Sequence, residues 1–465
     1  MRMRLNRAKE TINLTEGPIG RQLIRFALPL FLGSLLQLLY NTVDLIFAGQ
    51  FLGKEASAAV GASSLIVTCI LGFFTGMSVG VGVVIAKAVG EGNSYRVHRA
   101  IHTAAGMTIL FAVFFTAAGL LLAPAVLRWM DTPKDIMASA LVYLRLYLCS
   151  LFSIVSYNIG SGILRALGNS SAPMRYQLFG GIANVFGNAI FICALDWGVR
   201  GIAMATVCSQ TLAATLTVLH LWKLEGDAQF RFRKITLDFA ICRKILSIGI
   251  PAAVQAIVIT LSNLIVQANI NRLGVDSIAA FTAYFKVENF IYLPIMAFGS
   301  ASSTFTSQNC GAALPQRVKK GTRMAILLGI ATTLMTSWTV LLFAEQLFGL
   351  FATEAEVITL GTQIAWTTYP FYFIYVFLEV LASTIRGAGK TLATMVIIVV
   401  NMCLVRTAAL TVMMHLNPTV TGVAVIYPLT WTCSAVCLFL YYKSGHWIKE
   451  NNANHSTLNN HCHSR

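Results

Sequence analysis

Apolar residues in this chain come in long runs broken by short polar stretches. Runs of spanning length lie at about residues 23 to 47, 58 to 86, 104 to 125, 141 to 162, 174 to 195 and 199 to 222. A second set lies at about 245 to 270, 278 to 305, 324 to 343, 364 to 385, 392 to 414 and 420 to 442. A helix needs roughly 20 apolar residues to cross a bilayer, so the pattern predicts twelve transmembrane helices. An even number of spans places both termini on one side.

Composition agrees with this. Of 465 residues, 56% are apolar and 11% charged, where a soluble domain carries roughly 25% charged residues. That excludes an ordinary soluble protein. The net charge of +16 would suit nucleic acid only if the cations shared one solvated surface. Here they sit in short loops, and one alternating set of loops holds most of them. That set comprises the N-terminal arm, Arg96 and Arg99, Arg165 and Arg175, Arg231 to Lys244, Arg317 to Arg323, Arg386 and Lys390, and the tail. The other set holds Lys54, Arg128, Lys134, Arg200 and Arg272. The bias predicts that the first set and both termini are cytoplasmic in a cell (inner) membrane. It gives a partner in the lipid bilayer and none in nucleic acid.

The two sets of six spans are related by a shift of about 221 residues. Pro29 falls on Pro251, Gly53 on Gly274, Gly90 on Gly311, Arg96 on Arg317, and RALGN from Arg165 on RGAGK from Arg386. Six spans per repeat keep both halves in one orientation, which makes this a parallel repeat of the kind secondary transporters use. The predicted organisation is a cytoplasmic arm (1–22), a six-helix lobe (23–222), a loop (223–244), a second six-helix lobe (245–442) and a polar tail (443–465).

Ionised groups in mid-bilayer are costly, by about 2.5 kcal/mol on insertion scales and more by other methods. Away from the span ends, those within the predicted spans are Asp44, Arg145, Lys286, Glu288, Glu379 and Arg406. Gln37, Tyr40, Asn41 and Asp44 recur at i, i+3, i+4 and i+7, a polar stripe on an apolar first span. Asp44 lies about 12 Å from the outer end of its helix at 1.5 Å per residue. Gln177, Asn184 and Asn188 share a face of the fifth span, with Asn188 at matching depth, and Thr206 and Gln210 lie near that depth on the sixth. One carboxylate ringed by amide and hydroxyl oxygens suits reversible protonation or Na⁺ capture. The alternative is a salt bridge of Asp44 with Arg145. Val266 stands at the repeat position of Asp44, so the second half lacks that acid.

Lys286, Glu288, Glu379 and Arg406 sum to zero charge. They form either two internal ion pairs or a site in which Glu288 or Glu379 attracts an organic cation, facing a cavity between the lobes. Gln37 is a further substrate-contact candidate. Other signals are set aside. GAGKT at 387 to 391 resembles a phosphate loop, but it lacks the first glycine and the preceding strand. The ten cysteines, without a CxxC pair, read as reduced apolar fillers, and the tail with His455, His461, Cys462 and His463 reads as a polar end. The N-terminus lacks a signal-peptide cleavage site. No cofactor or structural metal is expected, and no constellation suited to a membrane enzyme appears in the spans.

LPLFLGSLLQLLYNTVDLIFAGQFLG, YNIGSGILRALGN, GVRGIAMATVCSQ and IRGAGK together resemble the multidrug and toxic compound extrusion (MATE) family of efflux antiporters, across essentially all twelve spans. The resemblance implies two six-helix bundles, alternating access, and export of cationic or amphipathic small molecules by a monomer, driven by inward H⁺ or Na⁺. It implies that Asp44 is the coupling-ion acid, with Asn184 and Thr206 as polar partners. The chain departs from the pattern at Asn188, where many members carry Asp. It also has no acid in the seventh span, and Glu379 lies near the tenth-span acid of another branch. A related flippase for a lipid-linked glycan or metabolite is the competing reading.

Overall fold

The computed structural model describes Thr11–Ile448, so the predicted tail histidines lie outside the described residues. Among the described residues the chain is helical and contains no strand. In order the helices are α1 (Ile19–Phe51), α2 (Gly53–Gly90), α3 (Ser94–Trp129), α4 (Lys134–Cys149), α5 (Leu151–Ala166), α6 (Ser171–Asn188) and α7 (Val199–Lys223). Then follow α8 (Phe239–Ile270), α9 (Val275–Gly311), α10 (Pro315–Leu342), α11 (Ala344–Gly349), α12 (Ala355–Thr368), α13 (Tyr372–Gly387), α14 (Thr391–Val399), α15 (Arg406–Leu416) and α16 (Val420–Ser444).

Ten helical stretches are long and apolar enough to cross a membrane, and the bent pair α4–α5 makes an eleventh. The twelfth, α9, spans 37 residues but carries Lys286, Glu288 and a run rich in Ser and Thr. Helices thus cover all twelve predicted spans in order, eleven of them apolar enough to cross, and several run longer than their apolar runs because polar ends continue the helix. Two spans are interrupted. The fourth bends by 46° at Ser150, whose hydroxyl donates to the Tyr147 carbonyl at 2.6 Å, a local bond that competes with the helix ladder. The tenth breaks at Tyr369–Phe371, where Pro370 removes a backbone donor. Two others contain a wider turn of π-helix, at Ala189–Ala194 and Val400–Val405.

The repeat is visible in the backbone. Displacing α2 and α7 by the same shift of about 221 residues brings their ends onto those of α9 and α16, and α3 so displaced begins with α10 and ends with α11. Left-handed residues recur at matched places: Gly53 and Gly274, Gly92 and Ala313, Gly168 and Gly389, the last pair at φ 93° and 90°. Gly168 needs its missing side chain, because a Cβ there would sit 2.3 Å from the Ile12 carbonyl oxygen.

The chain divides into two compact units. The first contains Leu32–Ala253 and the second contains Asn13–Phe31 with the chain from Val254 onward. In the first, Phe74, Met77, Ile101, Leu144, Leu148, Ile154 and Ile163 form the packed centre. The segment after α7 folds against α3. There the Arg231 N–H donates to His102 Nε2 at 3.1 Å and Arg99 pairs with Asp238 at 2.8 Å. In the second unit Phe281, Tyr284, Ile291, Phe305, Tyr369 and Tyr372 are buried. Asn309 and Arg317 there bind the Leu14 and Gly17 carbonyls. Outer faces such as Leu110, Phe114 and Leu121 of α3 are exposed, as expected where lipid replaces water as solvent.

Candidate functional site

In the first unit, α1, α6 and α7 bring the predicted polar stripe together. Small residues allow the close approach. A Cβ on Gly187 would lie 3.1 Å from that of Ala205, and one on Gly180 would lie 3.2 Å from the Ser209 carbonyl. Asn188 Nδ2 donates to Asp44 Oδ1 at 2.5 Å and lies 3.3 Å from Asn184 Oδ1. Both asparagines are fully buried and Asp44 is partly buried. The remaining amide atoms, Asn188 Oδ1 and Asn184 Nδ2, are buried without a hydrogen-bond partner. A π turn begins directly after Asn188, an irregularity common at functional sites.

One turn away, Tyr40 is buried and accepts a hydrogen bond from Gln210 Nε2 at 3.3 Å. The other candidates are placed differently. Thr206 is buried, but its hydroxyl donates to the Ile202 carbonyl of its own helix at 3.1 Å. Gln37 is exposed, and the Asn41 side chain lies outside the described residues. The salt-bridge alternative for Asp44 is corrected: Arg145 is exposed and makes no ion pair with it. On α4 it is Tyr143 and Tyr147 that point inward, and Tyr143 lies close enough to feel the Asp44 charge. Sequence reasoning missed Tyr143; the recurrence of Tyr143 and Tyr147 at i, i+4 was the available signal.

The second unit arranges its charges otherwise, and the expected pairing among Lys286, Glu288, Glu379 and Arg406 does not form. Glu379 Oε1 accepts from Arg386 Nη2 at 2.5 Å and from Ser383 Oγ at 2.9 Å. The cation pattern places Arg386 in a loop, but α13 runs through it. Glu288 hydrogen-bonds to phenols and not to a cation: the Tyr372 hydroxyl donates to it, and Tyr284 lies 3.4 Å away, while Arg406 acts on it electrostatically without forming an ion pair. Arg406 donates to Asn263 Oδ1 at 3.1 Å, reaches Met402 Sδ, and stands over the Tyr427 ring at 5.2 Å. Lys286 is exposed, 5.2 Å from the Phe351 ring centre. At Val266, the repeat position of Asp44, the side chain is buried and apolar. Among the described residues no group of three or more His, Cys, Asp or Glu could hold a metal ion.

Comparison with known proteins places this architecture. A probable multidrug resistance protein, YpnP, of Bacillus subtilis is 27% identical over 94% of this chain and 97% of its own length. An FAD transporter of Shewanella oneidensis is 23% identical over 75% of this chain and 78% of its own. Among solved structures, an outward-facing multidrug resistance MATE family transporter superposes with a TM-score of 0.88 at 22% identity. It covers 95% of this chain and 98% of that one. The MatE family profile matches twice, over residues 29–190 and 251–410, beginning at the two prolines that the internal repeat aligns. The chain is a multi-pass membrane protein and belongs to the MatE family.

Proposed function

We propose that this protein is an ion-coupled antiporter that exports cationic or amphipathic compounds by alternating access, driven by inward H⁺ or Na⁺. The observation that carries the reading is the Asp44 site. One carboxylate is held by Asn188 on α6, and beside it lie two buried amide atoms without partners. Buried polar groups are normally satisfied, so an unsatisfied donor and acceptor beside a carboxylate suit a group that changes its bonding during a cycle. As a proton carrier, Asp44 would alternate between accepting from Asn188 and donating its own proton. As a Na⁺ ligand, it would share the ion with Asn188 Oδ1 and nearby oxygens, since neutral oxygens plus one charge match a monovalent cation. Each inward charge supplies about 2.3 kcal/mol per 100 mV of membrane potential, before any concentration gradient.

Support for the cargo comes from the named function of the Bacillus relative. Glu288 among Tyr284 and Tyr372 offers an anionic, aromatic surface that suits an organic cation. Glu379 is already held by Arg386, which leaves Glu288 the better placed of the two acids, and Gln37 is an exposed polar contact. The cation bias of the loops supports a cell-membrane location with cytoplasmic termini. The Shewanella relative favours a second reading, export of an anionic metabolite. Everted vesicles loaded by an imposed ΔpH or Na⁺ gradient separate these. A cationic dye should be transported by wild type under one of the two gradients, and Asp44→Asn should abolish it. Gradient-dependent dye transport retained in Asp44→Asn would contradict the assignment.

A further inference from the structure

The repeat allows a position-by-position comparison of the helix that closes the fourth span with the helix that closes the tenth. Arg165 matches Arg386, Asn158 matches Glu379, Gly162 matches Ser383, and Ser78 on α2 matches Gly299 on α9. In the second unit the arginine is neutralised: Arg386 Nη2 lies 2.5 Å from Glu379 Oε1 and 2.7 Å from Ser383 Oγ. In the first unit the serine has moved to the neighbouring helix and the acid is absent. Arg165 Nη2 donates to Ser78 Oγ at 3.2 Å, and that hydroxyl donates to the Asn158 carbonyl at 2.6 Å. The Asn158 amide is turned back to the Ile154 carbonyl at 2.9 Å. No carboxylate of the described residues pairs with Arg165.

Arg165 is also the only residue of Ile159–Ser170 that is not buried. The side chain is partly buried, and of the five N–H donors in its planar fork one meets an acceptor among the described residues, Ser78 Oγ. The structure shows what satisfies the same guanidinium in the other repeat, a carboxylate oxygen at ion-pair distance. Asn158 is shorter than glutamate by one methylene and carries no charge, so it cannot fill that role.

We propose that Arg165 is an anion site of the first unit, where a phosphate or carboxylate group of a bound molecule takes the place that the Glu379 carboxylate occupies in the second. Planar, bidentate recognition of such oxyanions is what arginine does best. The group could arrive on a free small molecule or on a phospholipid headgroup, and both present the same chemistry. This site is separate from Asp44 and does not depend on the identity of the coupling ion.

The test uses the full chain in phosphatidylcholine nanodiscs, with two probes. One is inorganic pyrophosphate, followed by the shift in thermal unfolding; the other is phosphatidylglycerol mixed into the disc, counted by native mass spectrometry. Asn158→Glu rebuilds the internal pair of the second unit and should weaken binding of the favoured probe at least tenfold. Arg165→Gln should do the same, and gives the answer if Asn158→Glu folds poorly. Glu379→Gln frees Arg386 and should add a second equivalent of bound probe. Binding of pyrophosphate alone identifies a free anion, and binding of phosphatidylglycerol alone identifies a lipid. Equal binding by wild type, Asn158→Glu and Arg165→Gln, for both probes, overturns the proposal.

Discussion

In the first unit, Asp44 is held by an uncharged amide and Arg165 meets only a hydroxyl. In the second, the position of Asp44 is the buried Val266, Arg386 is closed by Glu379, and Glu288 lies among phenols. The backbones agree closely enough that helix ends and left-handed residues coincide under one shift. Duplication thus preserved the scaffold, while single side chains decided that Asp44 and Arg165 lack a charged partner in one half and that Glu379 and Arg386 pair in the other. An unpaired carboxylate can change its bonding at little cost. A buried ion pair cannot, because removing either partner strands the other.

The largest effect is expected from removing the acid of the first unit. Asp44→Asn should bring ion-coupled transport to the background rate in reconstituted vesicles, while Val266→Asn, at the matching place in the second unit, should affect folding more than coupling. Next comes the pair in the second unit. Glu379→Gln leaves Arg386 in a site nine-tenths closed and should lower stability by about 3 kcal/mol. Glu379→Gln combined with Arg386→Gln should recover part of that, measured by thermal unfolding in detergent.

Asn188→Ala removes the amide that holds Asp44. A hydrogen bond to a charged group contributes about 1.5 to 3 kcal/mol, so the half-saturating concentration of the coupling ion should change by roughly tenfold or more, read from transport against ion concentration. Thr206→Val should be close to silent in the same assay, because that hydroxyl is bonded to Ile202 within its own helix. Arg145→Gln should have the smallest effect, below about 0.5 kcal/mol in stability, as an exposed side chain without an ion pair.

These contrasts also show which features periodicity can reach. The spans, their order and the repeat follow from run length and spacing, and the stripe through Tyr40 and Asp44 meets Asn184 and Asn188 because depth and face are both readable on a straight helix. Rotation about the helix axis was not readable for the fourth span: Arg145 points outward because Tyr143 and Tyr147 take the inner face, and the bend at Ser150 hides the period. Glu379 and Arg386 stand seven residues apart on one face. Treating Arg386 as a loop residue ended α13 too early and concealed the pair. The phenols around Glu288 come from α9 and α13, a convergence that no local pattern encodes.

The central claim is that Asp44 exchanges the coupling ion. Purified protein in sealed proteoliposomes, with a pH-sensitive dye inside or with radioactive Na⁺ as tracer, measures it most directly. Adding a transported organic cation should drive a matching flux of H⁺ or of Na⁺ through wild type and none through Asp44→Asn. Equal ion flux in the two proteins would contradict the account.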